Sequence, residues 1–180
     1  MHLRGRNLFG PGGYRTVVAT QLMNSSTRLE EPQMAAIREE FPAGIGTLLG
    51  LTLIREGVGR ATVEFEAGAR HSNPMGTLHG GVLCDIADAA MGIAYSSTLA
   101  AGETFTTIEL KINFFRPVWN AKLRAEARMV RGGKTIGLVE CNVLNDKNEL
   151  VARASSTCMT LRGRRAEGRG LRREISAKAR

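Results

Sequence analysis

Residue types that take part in carbonyl chemistry crowd into one short stretch of this 180-residue chain: Asn73, His79, the pair Gly80-Gly81 and Asp88. The glycines open directly onto VLCDIADAAMGIAYSSTLA, a run rich in Ala, Leu, Ile and Met that reads as about five turns of helix. A helix start leaves backbone N–H groups without acceptors and about half a positive charge, and glycine there lets a ligand approach closely. Gly80 N–H is therefore the candidate donor to an oxyanion. Read alone, a Gly-Gly pair before a helix is a simple tight turn. Asp88 is the second anomaly, because a carboxylate amid a mostly apolar helix costs roughly several kcal/mol unless it is paired. It needs a structural partner or a chemical task, as a general base on water or as a nucleophile. Asp85, one turn earlier, shares part of that face and is the rival carboxylate.

These residues need a frame. From Thr47 the chain reads as two strands, LLGLTLIREG and GRATVEFEAG, in which Ala61, Val63 and Phe65 alternate with Thr62, Glu64 and Glu66. After the helix, Ile108, Leu110, Ile112 and Phe114 alternate with Thr107, Glu109, Lys111 and Asn113 until Arg116-Pro117 stops the run. Three further strands are expected in AKLRAEARMVR, KTIGLVECNVLN and ELVARASSTCMTL, separated by Gly132-Gly133 and by the turn Asp146-Lys147-Asn148. The order is two strands, one long apolar helix, then about four antiparallel strands. A helix apolar on most of its circumference needs a sheet wrapped about it, so the fold class is α+β. Pattern alone leaves more than one such fold open.

The run Asn73-Pro-Met-Gly-Thr-Leu-His79-Gly80-Gly81, followed by Ala87-Asp88-Ala89-Ala90, resembles the signature of the phenylacetate-degradation (PaaI-type) branch of hotdog-fold acyl-CoA thioesterases. That branch shows an Asn, a His-Gly-Gly six residues later and an acidic residue nine beyond the His. The likeness extends over roughly residues 35–162. It implies a hotdog, a curved antiparallel sheet around a central helix, and hydrolysis of a thioester with Asp88 as the carboxylate and Gly80 N–H as oxyanion donor. It implies that His79 holds the turn rather than acting as base, and that Asn73 orients the loop or the thioester carbonyl. Thr107 matches a position where relatives carry a hydroxyl that holds the attacking water, although an ordinary strand Thr would look the same.

Geometry adds a constraint of its own. Gly80 and Asp88 are eight residues apart, about 12 Å along a helix axis, so one substrate carbonyl cannot touch both. Unless the helix breaks, they serve one thioester from different chains. The resemblance agrees, implying a homodimer that often pairs into a tetramer. It also places the coenzyme A nucleotide near Arg131-Gly132-Gly133-Lys134, with Arg128, Arg116 and Lys111 on nearby segments and Gly81 beside the oxyanion donor. Guanidinium and ammonium groups suit phosphates, although basic turn residues are commonly just solvated. Leu83, Met91, Tyr95 and Phe114 are candidates for an apolar acyl pocket. A hotdog enoyl-thioester hydratase and a non-catalytic acyl-CoA-binding module are the competing readings. His79 has no acidic partner at hydratase spacing, and Asp88 has no evident purpose in a mere binder.

The net charge of +8 resides at the ends, with +2 over residues 1–32, +6 over 161–180 and neutrality between. A Gly- and Pro-containing leader (1–32, with a short helix expected from Glu31 to Phe41) and a basic tail (163–180, whose last dozen residues suit a short helix) thus flank a domain over 33–162. No aromatic residues interleave the tail arginines, so nucleic acid is not the expected partner. Cys84, Cys141 and Cys158 show no C-x-x-C spacing, which speaks against a disulfide framework or a zinc site and for a reducing compartment. No apolar run spans a bilayer and no secretory signal is evident, so a soluble cytoplasmic protein is expected. No metal or redox cofactor is implied; coenzyme A belongs to the substrate.

Overall fold

The computed structural model describes residues 37–41 and 44–169, all within one compact unit. The expected leader over 1–32 and the tail beyond 169 lie outside these residues. Two short elements come first, strand β1 (Ile37–Glu40) and helix α1 (Ile45–Leu49). The helix expected over Glu31–Phe41 is, where described, this strand, because its backbone pairs antiparallel with the next one. The expected hairpin follows as β2 (Thr52–Gly57) and β3 (Arg60–Ala67), then helix α2 (Gly80–Ser96) and strands β4 (Thr104–Phe114), β5 (Ala121–Gly132), β6 (Ile136–Leu144) and β7 (Leu150–Leu161).

All seven strands join one antiparallel sheet in the order β1-β2-β3-β5-β6-β7-β4, and α2 lies against β3 through β7. This is the hotdog. Alternation explains the inner face: Val63 and Phe65, Leu123 and Ala125, Val139 and Val143 point at the helix and are buried, while Glu66, Lys122 and Glu140 point away. Small residues on both surfaces, Ala87, Ala90 and Ala94 on α2 against Ala61, Ala125 and Ala154 on the sheet, let helix and sheet approach closely. Gly137 is one such point, since a β-carbon there would sit 2.5 Å from the Tyr95 ring.

Helix α2 starts on the glycine pair and stops at Ser96, four residues before the apolar run ends. Ser97 and Thr98 turn their hydroxyls back onto the carbonyls of Ala94 and Tyr95, which gives the backbone a local alternative to further helix. At the turn between β6 and β7, Asn145 accepts from the amides of Lys147 and Glu149, and Asn148 takes the left-handed conformation at φ 60°.

Strict alternation fails in β4. Thr107 pairs with Cys158 and Glu109 with Thr157, so Ile108 is an extra residue, left 54% exposed. Such a bulge shifts the phase of the strand by one residue. Thr107 therefore joins Leu110, Ile112 and Phe114 on the helix-facing side, whereas the sequence pattern assigned Thr107 to the opposite side.

Two expected pocket residues are core residues. Met91 is fully buried, and Tyr95 is 2% exposed with its hydroxyl 2.8 Å from Thr160 Oγ1. The sheet covers their side of α2, which the run of sequence could not reveal. Met91→Ala should accordingly cost about 2–5 kcal/mol of stability through lost transfer energy and a residual cavity. Equilibrium urea unfolding measures this, and a negligible change would mean that Met91 faces a collapsible pocket instead.

Candidate active site

The loop into α2 is held from several sides. His71, buried under the Phe65 ring at a centroid distance of 4.8 Å, accepts the Gly68 amide on Nδ1, and its carbonyl accepts the His79 amide at 2.9 Å. Burial first, then the neighbouring Arg70 charge, lowers the His71 pKa, so the ring is a neutral strut. The sequence reading passed over it, and nothing in its spacing marked it. Asn73 spends its side-chain amide inside the loop: Oδ1 accepts from Met75 N–H and Thr77 N–H, and Nδ2 donates to Thr77 Oγ1. The Asn73 side chain thus ties Met75 and Thr77 into the loop.

His79 is the N-cap of α2, its Nδ1 accepting the Gly81 amide at 2.9 Å. A β-carbon on Gly81 would lie 2.9 Å from that nitrogen, so the cap requires glycine. Gly80 meets the Phe114 ring in the same way, at 3.2 Å. The pair is thus more than a tight turn; each glycine makes room for a ring. No acceptor among the described residues takes the Gly80 N–H. Gly80 lines a cavity of about 330 Å³ with Thr77, Leu78, Leu83 and the segment Phe114–Val118. Of the four residues expected at an acyl pocket, Leu83 and Phe114 line this cavity and not the one beside Asp88.

Asp88 lies two turns further along α2 and borders a separate cavity of about 180 Å³, lined also by Phe41, Ala89, Gly92, Ile93, Ser96, Phe105 and Thr107. Thr107 Oγ1 donates to Asp88 Oδ1 at 3.2 Å, a contact that the β4 bulge creates. The carboxylate keeps a solvent-facing side, yet the surrounding protein desolvates it enough to raise its pKa, with the Thr107 hydrogen bond opposing the rise. Among the described residues no cation pairs with Asp88. Asp85 is exposed, borders neither cavity and has its own pKa raised by burial and then by the Asp88 charge. Burial likewise raises the pKa of Cys84, beside the two aspartates, and of Cys158 behind Thr107, so both thiols stay protonated.

The two cavities share no lining residue, so the chain does not bring Gly80 and Asp88 to one point. The basic candidates also disperse. Arg131, Gly132, Gly133 and Lys134 form the end of the β5–β6 hairpin, where a β-carbon on Gly133 would crowd the Ile136 carbonyl at 2.7 Å. Lys111 and Arg128 project from the outer face, in register with Ser155 and Glu140, and Arg128 is engaged by Glu140 at 2.9 Å. Their strand parity turns them away from the side that bears Asp88, so within one chain they do not join the hairpin residues as a phosphate cluster. Arg116 stands at the Gly80 cavity, 3.9 Å from Glu149. Sequence reasoning missed Phe41, Gly92 and Phe105 at the Asp88 cavity. Gly92 carried a signal, since glycine inside a helix costs roughly 1 kcal/mol against alanine.

A family model described as Thioesterase superfamily matches residues 75–152. A predicted esterase of Saccharolobus solfataricus is 31% identical over 136 residues, 74% of this chain and 96% of that protein. The Escherichia coli medium/long-chain acyl-CoA thioesterase YigI is 27% identical over 95 residues, 46% of this chain and 61% of its own length. Among solved structures, the PaaI protein of the E. coli phenylacetic acid degradation operon superposes with a TM-score of 0.62 at 27% identity, over 66% of this chain and 85% of the other.

The electrostatics of Asp88 can be tested directly. The Thr107 hydroxyl donates to the ionised carboxylate, so Thr107→Val should move the Asp88 midpoint, followed by side-chain carbon NMR, further above the ordinary range. Because the folded-state pKa is raised, the Asp88 contribution to stability is present in acid and lost as pH rises through that pKa. Asp88→Asn should therefore unfold at a higher temperature than wild type at neutral pH, and the gap should close on acidification.

Proposed function

The chain belongs to the thioesterase superfamily, and we propose that it hydrolyses acyl-CoA thioesters to the free acid and coenzyme A, with Asp88 as the essential carboxylate. One observation carries the reading: a desolvated carboxylate, held by a single hydroxyl and no cation, faces a cavity rather than a structural partner. In the ionised state Asp88, held by Thr107 on Oδ1, accepts a proton from a water on its cavity side. The water oxygen attacks the thioester carbonyl carbon, and the negative charge that develops on the carbonyl oxygen is received by a Gly80 N–H at a helix start. Collapse breaks the carbon–sulfur bond, and the thiolate takes the proton. Asp88 would serve equally in a direct attack that forms a mixed anhydride; label in the enzyme carboxylate after single turnover in oxygen-18 water identifies that route, and capture of the anhydride by hydroxylamine identifies it when water attacks the acyl carbon instead.

The separation of the cavities supports a homodimer in which the partner subunit's Gly80 completes the site of Asp88, and pairs of dimers are expected to form tetramers. Coenzyme A phosphates would be met by Arg116 at the Gly80 cavity and by Arg131 and Lys134 at the hairpin, contributed by more than one chain. The three cysteines are all unpaired, which suits a reducing cytoplasm. No helix among the described residues is long and apolar enough to cross a membrane. No metal or redox cofactor is expected, because the steps use only the carboxylate, the hydroxyl and the backbone amide.

Thiol release from an acyl-CoA panel should fall at least about 100-fold in Asp88→Asn with the fold retained. Gly80→Pro is the complementary change. Proline is well tolerated at the first position of a helix and removes the amide hydrogen, but its β-carbon would also press on the Phe114 ring at 3.2 Å, so Gly80→Ala, which adds that β-carbon and keeps the N–H, is the reference against which Gly80→Pro should lose about 10²- to 10³-fold of kcat. If the site spans two chains, refolding the two inactive variants together should restore about one site in four, because a twofold dimer of unlike chains keeps one intact Asp88–Gly80 pair. Turnover indifferent to Asp88→Asn would sink the reading, and failure of the mixture would confine the site to one chain.

A further inference from the structure

The cavity beside Asp88 has a shape that the hydrolytic step does not explain. It runs along α2 from Asp88 through Ala89, Gly92 and Ile93 to Ser96, about 12 Å of helix. Its polar groups sit at the two ends. Asp88 and Thr107 occupy one, and at the other Ser96 donates to the Ile93 carbonyl at 2.9 Å, leaving that end without demand for a polar ligand. Between them the walls are apolar, from Phe41, Gly92, Ile93 and Phe105.

Gly92 and Phe105 fix the width of this passage. A β-carbon on Gly92 would lie 3.2 Å from Phe105 Cζ, tighter than ordinary packing. The Phe105 ring is backed by Tyr95 at a centroid distance of 5.4 Å. Tyr95 cannot retreat, being tied to Thr160 at 2.8 Å and pressed against Gly137. A methyl group at position 92 must therefore project into the cavity or push the Phe105 ring into it. A glycine tolerated inside a helix marks a place where that space is needed.

Building on the proposed thioesterase reading, we infer that this cavity receives the acyl group and that Gly92 with Phe105 limits its size. The volume of about 180 Å³ that one chain provides compares with the roughly 150 Å³ apolar cavity that admits one benzene molecule, so this chain's walls offer room for about six or seven carbons beyond the carbonyl, as a ring or a chain. The substrate class is a short to medium acyl or single-ring aryl-acyl thioester.

The test is kcat/KM across acetyl-, butanoyl-, hexanoyl-, octanoyl-, decanoyl- and phenylacetyl-CoA for wild type, Gly92→Ala and Phe105→Leu, with circular dichroism melts as the fold check. Wild type should peak at hexanoyl or phenylacetyl and decline beyond octanoyl, and phenylacetyl against octanoyl, each with seven carbons beyond the carbonyl, separates a ring-shaped from a chain-shaped pocket. Gly92→Ala should lower the hexanoyl-to-acetyl ratio about tenfold or more, the discrimination that one methylene gives in an apolar pocket. Phe105→Leu should shift the optimum to longer chains, and it keeps the test open if Gly92→Ala does not fold. A uniform loss on every substrate, or a wild-type profile flat out to decanoyl, overturns the inference and leaves the thioesterase reading intact. Absence of turnover on every thioester overturns that reading and this inference with it.

Discussion

Helix α2 is apolar over most of its circumference, so water must be kept from nearly its whole length, and a sheet that curves around it is the economical way to do so. The small residues on both surfaces bring helix and sheet close, and the buried Tyr95–Thr160 hydrogen bond and the Tyr95 ring over Gly137 fix the helix against the strands. What the sheet leaves uncovered follows from the same packing. Gly81, Asp85 and Asp88 remain exposed along one stripe of α2, with Gly92 and Ser96 partly covered beyond them. Every candidate catalytic feature of the helix lies on that stripe or at the helix start. The open face is where a second chain is expected to close the site.

Asp88 shows how such a site is held at the edge of stability. Desolvation pushes its pKa up, and one hydroxyl from Thr107 pulls it back. A cation in place of that hydroxyl would ionise the carboxylate more firmly, but would also make it a weaker base. A neutral donor leaves the carboxylate basic and oriented at the expense of fold stability, a compromise common where reactivity is needed. At the helix start, the proposed oxyanion donor needs no ionisable group. His79 and Gly81 satisfy one another at the helix cap, which leaves the Gly80 N–H to the cavity.

Much of the fold was legible because its signals are local. Alternation fixed the β2–β3 hairpin and β5 to β7, the Asn- and Gly-containing turns marked their ends, and the run of Ala, Leu and Ile marked α2. The resemblance singled out Asp88 over Asp85. Other assignments depended on which side of an element faces the core. Met91 and Tyr95 look as suited to a pocket as Leu83 does, because apolar residues on an all-round apolar helix carry no label of direction. The basic residues at 111, 116, 128, 131 and 134 look like a cluster in sequence, but strand parity sends Lys111 and Arg128 to the outer face.

By itself the sequence determined the element order, the α+β class and the eight-residue interval between Gly80 and Asp88, because hydrophobic period and helix rise are properties of the local chain. Only the tertiary structure decided the strand order, in which β4 leaves its sequence neighbour β5 to pair with β7. It also decided the partner of Asp88. Strict alternation assigns Thr107 to the outer face with Glu109, and the extra residue Ile108 in the pairing with β7 turns Thr107 inward to the carboxylate. A bulge exists only in the register between two strands, so no single strand's pattern can announce it.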